Sequence, residues 1–323
     1  MTSLETLCTS KLVLEIYSCC MTSAPSMDSV SAMNVSNPAL PDSIPPSMLA
    51  SADLLVTKTA YLAGMVAPET AACLSKLLMD SDAHYSRVID EYHTKPEVLK
   101  NALNSANQHS TLEKVPELRR RIVAALAHHY RLLQTPAGNG VVARIIAHQH
   151  LAQLRLHSQL WSLSRGLARR QEEYHAALNT TDSTQDLQVA GGVQLSDKAF
   201  LGFIELMLDV CHQEVDYMTT ALNRHQLRRS VAHAYRTNPR LTEAGVSLKT
   251  MPALLALLIQ GTLPRSVFIT FTGLPPKIAS DQLNRLLNLD IVVSPPSNLQ
   301  RLEVGLPAWF AQVLLPDVDL ALI

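Results

Sequence analysis

Aromatic side chains are scarce, 5% of 323 residues, so any core must be assembled from aliphatic residues and alanine. Long apolar runs are missing too. Every leucine-rich stretch is interrupted by Arg, Gln, Asp or Pro before it reaches the roughly 18 residues that span a bilayer, which excludes a membrane partner of that kind. The five cysteines, Cys8, Cys19, Cys20, Cys73 and Cys211, form neither a disulfide framework nor a metal-ligand spacing. The apolar patch from Leu12 to Cys20 contains Glu15, and the charges before it are wrong for export. A reducing cytoplasm is the expected setting.

What is present is enough apolar material, 47% of residues, to bury one or two cores. The net charge of −1 conceals strong blocks. Residues 115–175 hold nine Arg, no Lys and three acidic residues, 176–219 hold one Lys against seven acidic residues, and 220–301 hold ten basic against three acidic residues. Such basic blocks read equally well as solvated helix faces and as surfaces for phosphate-bearing partners.

Residues 1–50, rich in Ser, Pro, Met and Ala without a sustained period, are expected to form a disordered leader. Helical patterning begins at Ala52, where Leu54, Leu55, Tyr61, Leu62 and Met65 share a face, and continues in helices over 69–79, 84–91 and 94–103. Pro116 opens a long helix to Gln134 with Leu118, Ile122, Ala125, Leu126 and His129 on one stripe. A further helix follows Gly140, and another carries Leu160, Leu163, Leu167, Tyr174 and Leu178. Residues 179–194 read as a polar loop, and Ser196 as the cap of a long helix running past Phe203, Met207, Cys211 and Val215. Beyond Pro239 come a leucine-rich helix stopped by Gly261, a second through Phe271, a tight turn at Gly273 and a third to Leu289. Residues 291–293 and 302–304 then pair as a hairpin, completing the pattern of a winged helix-turn-helix. The predicted fold class is mostly α: a helical domain over 51–235, a small winged helix domain over 240–310 and a C-terminal tail over 311–323.

One loop carries chemistry. Gly138-Asn139-Gly140 opening a helix is an anion nest, in which unpaired backbone N–H groups converge and the helix dipole adds positive charge. Arg144, one turn later, reaches the same place. No metal-ligand set is evident in the chain.

The stretch Pro136-Ala137-Gly138-Asn139-Gly140-Val141-Val142-Ala143-Arg144 resembles the nucleotide-phosphate loop of the Fic family of protein adenylyltransferases, whose pattern is HPFxxGNGRxxR. Downstream, Leu160-Trp161-Ser162-Leu163-Ser164-Arg165-Gly166-Leu167-Ala168-Arg169-Arg170 resembles a tract carried by one bacterial branch of that family. The resemblance covers most of 60–310. It implies a Fic-like helical domain at 51–235 that binds ATP and Mg²⁺ and transfers AMP to a hydroxyl of a protein target. In the family a histidine is the general base, an acidic residue before the Gly-Asn-Gly holds magnesium and two arginines neutralise the triphosphate. In this chain Leu133 stands at the histidine position, Ala137 at the magnesium-ligand position and Val141 at the first arginine position, whereas Gly138, Asn139, Gly140 and Arg144 remain. The segment between 104 and 133 is short and lacks the flap that clamps a target peptide. The histidines near the loop, His128, His129, His148 and His150, and His212 further on, are expected to pack rather than catalyse. An inhibitory motif near the amino terminus of the family maps onto Ser86 and Asp90, so an Asp90–Arg144 pair is expected, with Glu91 as a rival.

On the candidate recognition helix, Lys277, Ser280, Gln282 and Arg285 suit contacts with double-stranded DNA, with Arg301 at the wing. Two functions follow: a Fic-family protein with strongly reduced AMP transfer, or a nucleotide- or DNA-binding regulator that uses the retained loop and the wing. Because Leu133 cannot accept a proton and Ala137 cannot hold a hard cation, labelling with an ATP analogue should show no AMP transfer above background. Leu133→His should not restore full activity. Labelling of the unchanged chain that disappears in Arg144→Ala would refute this.

Overall fold

The computed structural model describes residues 44–90, 115–133, 140–188 and 193–320, and the side chains of all of these except 181–188 and 193–196. The described chain is mostly helical. Among the described residues no single helix is long and apolar enough to cross a membrane. Helices predicted over 94–103, and Gly138 and Asn139 with them, lie outside the described residues.

Two compact units emerge, one from the chain up to Ala60 and Asp82–Glu214, the other from Tyr61–Ser81 and Val215 onward. The chain passes between them inside continuous helices, so each unit draws on two stretches of sequence.

In the first unit, α1 (Pro46–Met65) starts earlier than expected, within the segment read as a leader. Pro46 at the start costs no hydrogen bond, and Ile44 and Met48 are buried, which anchors 44–50. Helix α2 (Pro68–Asp90) is one element where two were expected, since neither Gly nor Pro interrupts it. Helices α3 (Leu118–Leu133) and α4 (Gly140–Gln153) form the central hairpin. Both are rich in small buried residues, Ala124, Ala125, Ala127, Ala143 and Ala147, and Ile122, Leu126, Ile145 and Ile146 are buried with them. Leu118, expected in the stripe, is 42% exposed because it lies in the first turn, outside the packed length. The few aromatics gather here: Tyr130 sits against Phe200 and Phe203, and His129 stacks on Phe203. Helices α5 (Leu163–Arg169), α6 (Gln171–Gln188) and α7 (Val193–Ala221) follow. The loop read over 179–194 is therefore mostly helix, the helical preference of the flanking residues carrying through its polar ones.

The second unit holds the remainder of α1, α2 and α7, then α8 (Arg224–Thr237), α9 (Pro239–Glu243), α10 (Met251–Gln260), β1 (Thr262–Pro264), α11 (Arg265–Phe271), α12 (Pro276–Asn288), β2 (Val292–Val293), β3 (Arg301–Val304) and α13 (Ala308–Leu314). The expected hairpin is present, pairing Val292 with Val304 and Val293 with Glu303. A third strand was not expected: β1 pairs antiparallel with β3, giving the order β1-β3-β2. Its three residues contain a proline, which hid it from pattern reading and which an edge strand tolerates. Gly261 ends α10 at φ 76° and Gly273 turns α11 into α12 at φ 62°, both left-handed conformations that glycine adopts without strain. The tail is not loose, since Phe310, Leu314, Leu315, Val318 and Leu320 are buried.

Gly166 lets α5 lie directly on α7. A Cβ there would meet Val210 Cγ1 at 2.5 Å and Glu214 Cγ at 2.8 Å. Gly166→Leu should therefore lower stability by about 1–3 kcal/mol through overpacking, read from the urea midpoint. An unchanged midpoint would show that this contact is not tight.

Candidate functional site

Helix α2 carries a polar row at four-residue spacing, Asp82, Ser86 and Asp90, and α4 answers it with Arg144 and His148. Residues four apart share a helix face, so the two rows meet as a ladder. At one end, Arg144 Nε donates to Ser86 Oγ at 2.8 Å, and Nη2 donates to Ser86 O at 2.8 Å and to Asp90 Oδ2 at 2.7 Å. The Arg144 side chain is 0% exposed and that of Asp90 20%. Its remaining nitrogen, Nη1, is buried without a hydrogen-bond partner among the described residues.

The Asp90 carboxylate also lies over the first residue of α4. A Cβ on Gly140 would meet Oδ1 at 2.5 Å and Oδ2 at 2.8 Å, so a side chain here would push the carboxylate aside. An anion at a helix N-terminus beside a guanidinium is doubly favoured, by the dipole and by the ion pair. The expected partner of Arg144 is thus Asp90; Glu91, its rival, lies outside the described residues. Leu133 is the last residue of α3 and Gly140 the first of α4, and the loop between them, with Ala137, Gly138 and Asn139, is likewise outside. Val141 is buried among the core side chains.

Below Arg144 the cluster becomes apolar and its histidine stays neutral. His129 Nε2 and Tyr174 Oη are 2.8 Å apart. Burial, with the nearby Arg144 charge as the second cause, pushes His129 down to about 3, and burial pushes the Tyr174 hydroxyl up to about 12 against the pull of Arg144. His150 is also pushed down to about 3 by burial. None of these can act as a base at neutral pH with a pKa near the working range.

At the other end of the ladder, Asp82 accepts from Ser162 Oγ and stands 3.8 Å from His148 Nε2. Ser162 itself caps α5 by accepting from the Arg165 N–H at 2.9 Å. Burial raises Asp82, opposed by His148 and by hydrogen bonds from Ser162 and Ser164. Beyond it, Arg165 Nε donates to Glu214 Oε2 at 2.9 Å, with side chains 1% and 4% exposed. Burial pushes Glu214 up to about 7 against the attraction of Arg165. Trp161 is buried and donates from Nε1 to Leu156 O at 3.0 Å. The tract 160–170 is therefore a structural knot. Sequence reading missed Asp82 and Glu214; the signal for Asp82 was its four-residue spacing from Ser86 and Asp90.

The second group of candidates lies on α12. Gln282 is 8% exposed; its Oε1 accepts from Ser247 N at 2.6 Å and its Nε2 donates to Gly245 O at 3.2 Å. Both ends of its amide hold the 245–247 turn. Arg285 is exposed, but its Nη1 donates to Ala244 O and Gly245 O. Arg301 pairs with Glu69 and Glu303, both at 2.9 Å. Lys277 is exposed and Ser280 half-buried. His212 Nε2 lies 2.9 Å from Ser51 Oγ, a packing role. Among the described residues no three His, Cys, Asp or Glu gather as a metal would require.

Compared with known proteins, the chain matches no protein-family model and no curated protein.

The neutral histidines make stability depend on pH. Unfolded, each imidazole takes a proton near pH 6.5; folded, His129 and His150 do so only near 3. Their contribution is complete above about pH 6.5 and is lost as pH falls toward 3, at up to about 1.4 kcal/mol per pH unit for each. His129→Gln, which keeps a hydrogen bond for Tyr174, should flatten the stability profile between pH 6 and 4 by one proton. Urea unfolding at several pH values reads this, and identical slopes in both proteins would refute it.

Proposed function

We propose that the first unit is a Fic-like nucleotide-phosphate site that has lost AMP transfer and is held closed by its own carboxylate. The observation that carries this reading is the position of Asp90. Its carboxylate lies at the start of α4 and on Arg144, where a nucleotide phosphate would have to lie. An enclosed arginine with one nitrogen that has no partner among the described residues is the donor that such a phosphate would use once Asp90 swings out. The chemistry beyond binding is absent from the residues: Leu133 replaces a base, Ala137 a magnesium ligand and Val141 a phosphate clamp, and His129 is held neutral in the core. ATP binding with no transfer, regulated by Asp90, is the function that remains. Mg²⁺ contributes little, having no side chain at 137 to hold it.

A second reading is favoured by the topology of the other unit. Helix, edge strand, helix, glycine turn, helix and hairpin, with sheet order β1-β3-β2, suit a winged helix, and so a DNA-binding regulator.

Calorimetry with ATP should show weak binding by the native chain, between about micromolar and millimolar. Asp90→Asn removes the competing charge while keeping the shape, and should tighten ATP by about tenfold or more, the effect of roughly 1.4 kcal/mol. Arg144→Lys in the Asp90→Asn background should weaken it again, since a lysine cannot make the forked contact. Asp90→Asn with no gain in ATP affinity would leave the pair as a structural tie only.

A further inference from the structure

Six arginines among the described residues are held in ion pairs. Arg119, Arg120, Arg144, Arg165, Arg170 and Arg301 each have a carboxylate within 3.8 Å. On α8, Arg224, Arg228, Arg229 and Arg236 are exposed, and among the described residues none has a carboxylate partner. The sequence explains why: no Asp or Glu occurs from Tyr217 to Thr242, a stretch that holds five Arg and no Lys. Among the described residues these four guanidiniums make one hydrogen bond, from Arg229 Nη2 to Gln226 Oε1 at 2.7 Å.

The helix geometry gathers them. Leu227, Ser230, Val231, Ala234 and Tyr235 are buried, with α8 packed on α10 and α13. The opposite side presents Arg224, Arg228, Ala232 and Arg236 in a four-residue row, with His225, Arg229 and His233 beside it. At 1.5 Å per residue the row is about 18 Å long. Four uncompensated guanidiniums over that length, flanking a small alanine, form a strip of positive charge with no bulky apolar group on it.

We infer that this face of α8 docks on the phosphate backbone of double-stranded DNA. Guanidinium forks match phosphate oxygens in pairs, and arginine is used here to the exclusion of lysine. Double-stranded DNA offers one charge per about 1.7 Å of axis, dense enough to engage all four. A lipid surface fits less well, because the apolar side of α8 is committed to the core and cannot insert. The choice of DNA over other polyanions rests on the winged-helix reading of the same unit. The inference changes that reading in one respect: Gln282 and Arg285 of α12 are engaged with the 244–247 segment, so the affinity resides on α8.

The test is fluorescence anisotropy of the full chain with a labelled DNA duplex of about two helical turns, titrated at several salt concentrations. Four phosphate contacts give a slope of log affinity against log salt near −3.6, about −0.9 for each. The variant Arg228→Gln, Arg229→Gln, Arg236→Gln should bind at least about tenfold more weakly, with the slope reduced by about three contacts' worth. The matching Lys variant should retain most of the slope, since charge alone sets it. Lys277→Gln should change the slope by no more than about one contact. All substituted positions are exposed, and an unchanged circular dichroism melt of the Gln variant shows that the fold is intact. A native chain that fails to bind the duplex at low salt removes the DNA reading as a whole. Binding that ignores the triple Gln change but falls with Lys277→Gln leaves the winged-helix reading and overturns this one. Tighter binding to an RNA duplex, to phosphatidylserine vesicles or to polyglutamate, lost in the same Gln variant, overturns the assignment to DNA.

Discussion

A guanidinium wholly removed from water must be met by an anion and by hydrogen-bond acceptors, or the fold that buries it is not stable. Arg144 imposes that constraint on the first unit. Its partners, Ser86 and Asp90, lie one turn apart on α2, so α2 can pass α4 in only one register. Slipping by one residue would leave the charge bare, at a cost of several kcal/mol. The same demand recurs at Asp82, met by His148 and Ser162, and at Arg165, met by Glu214. Together these contacts fix which faces of α2, α4, α5 and α7 meet, and the alanine-lined hairpin of α3 and α4 packs within the frame they define.

That frame also governs the chemistry at the start of α4. A carboxylate attached to α2 is always present at the helix terminus, whereas a phosphate must arrive from solution. Proposed as a competitor, Asp90 reduces the apparent affinity for nucleotide by the fraction of time the site stands open. A nucleotide would bring more negative charge than one carboxylate, and its phosphate would face the Arg144 nitrogen that has no partner among the described residues. The balance between the two anions is therefore set by charge and by donor count, and it shifts with anything that moves the end of α2.

The parts of this structure that were legible in the sequence are those with a short period or a fixed turn chemistry. Gly261 and Gly273 end their helices where expected, and Val292–Val304 pair as the hairpin pattern required. The pairing of Asp90 with Arg144 was legible through a resemblance, because two distant segments each kept a recognisable polar residue. What escaped depended on tertiary context. The edge strand Thr262–Pro264 has no alternation and contains a proline, and becomes a strand only because β3 lies beside it. Gln282 looked like a groove-facing residue on an amphipathic helix, but the backbone of Gly245 and Ser247, 35 or more positions away in sequence, claims both ends of its amide. The polar 179–194 stretch read as a loop since propensity alone is weak evidence against a helix that its neighbours propagate.

Two kinds of arginine in this chain make different demands on a sequence. A buried pair such as Arg144–Asp90 is not an economical way to stabilise a core, since well-packed apolar residues in its place are often as good or better, by about 1–4 kcal/mol. Its presence is better explained by what it specifies, a register and, in the reading proposed here, an anion site with its own occupant. An unpaired exposed arginine costs little in stability, so stability does not select against the strip on α8, and nothing in the folding of α8 calls for it. Where four such residues occupy one face and every acidic residue is absent from 26 consecutive positions, 217–242, no carboxylate among the described residues pairs with them to relieve their repulsion. A polyanion relieves it. The electrostatics that holds an internal carboxylate on Arg144 would thus leave the α8 strip, as proposed, to an external polyanion.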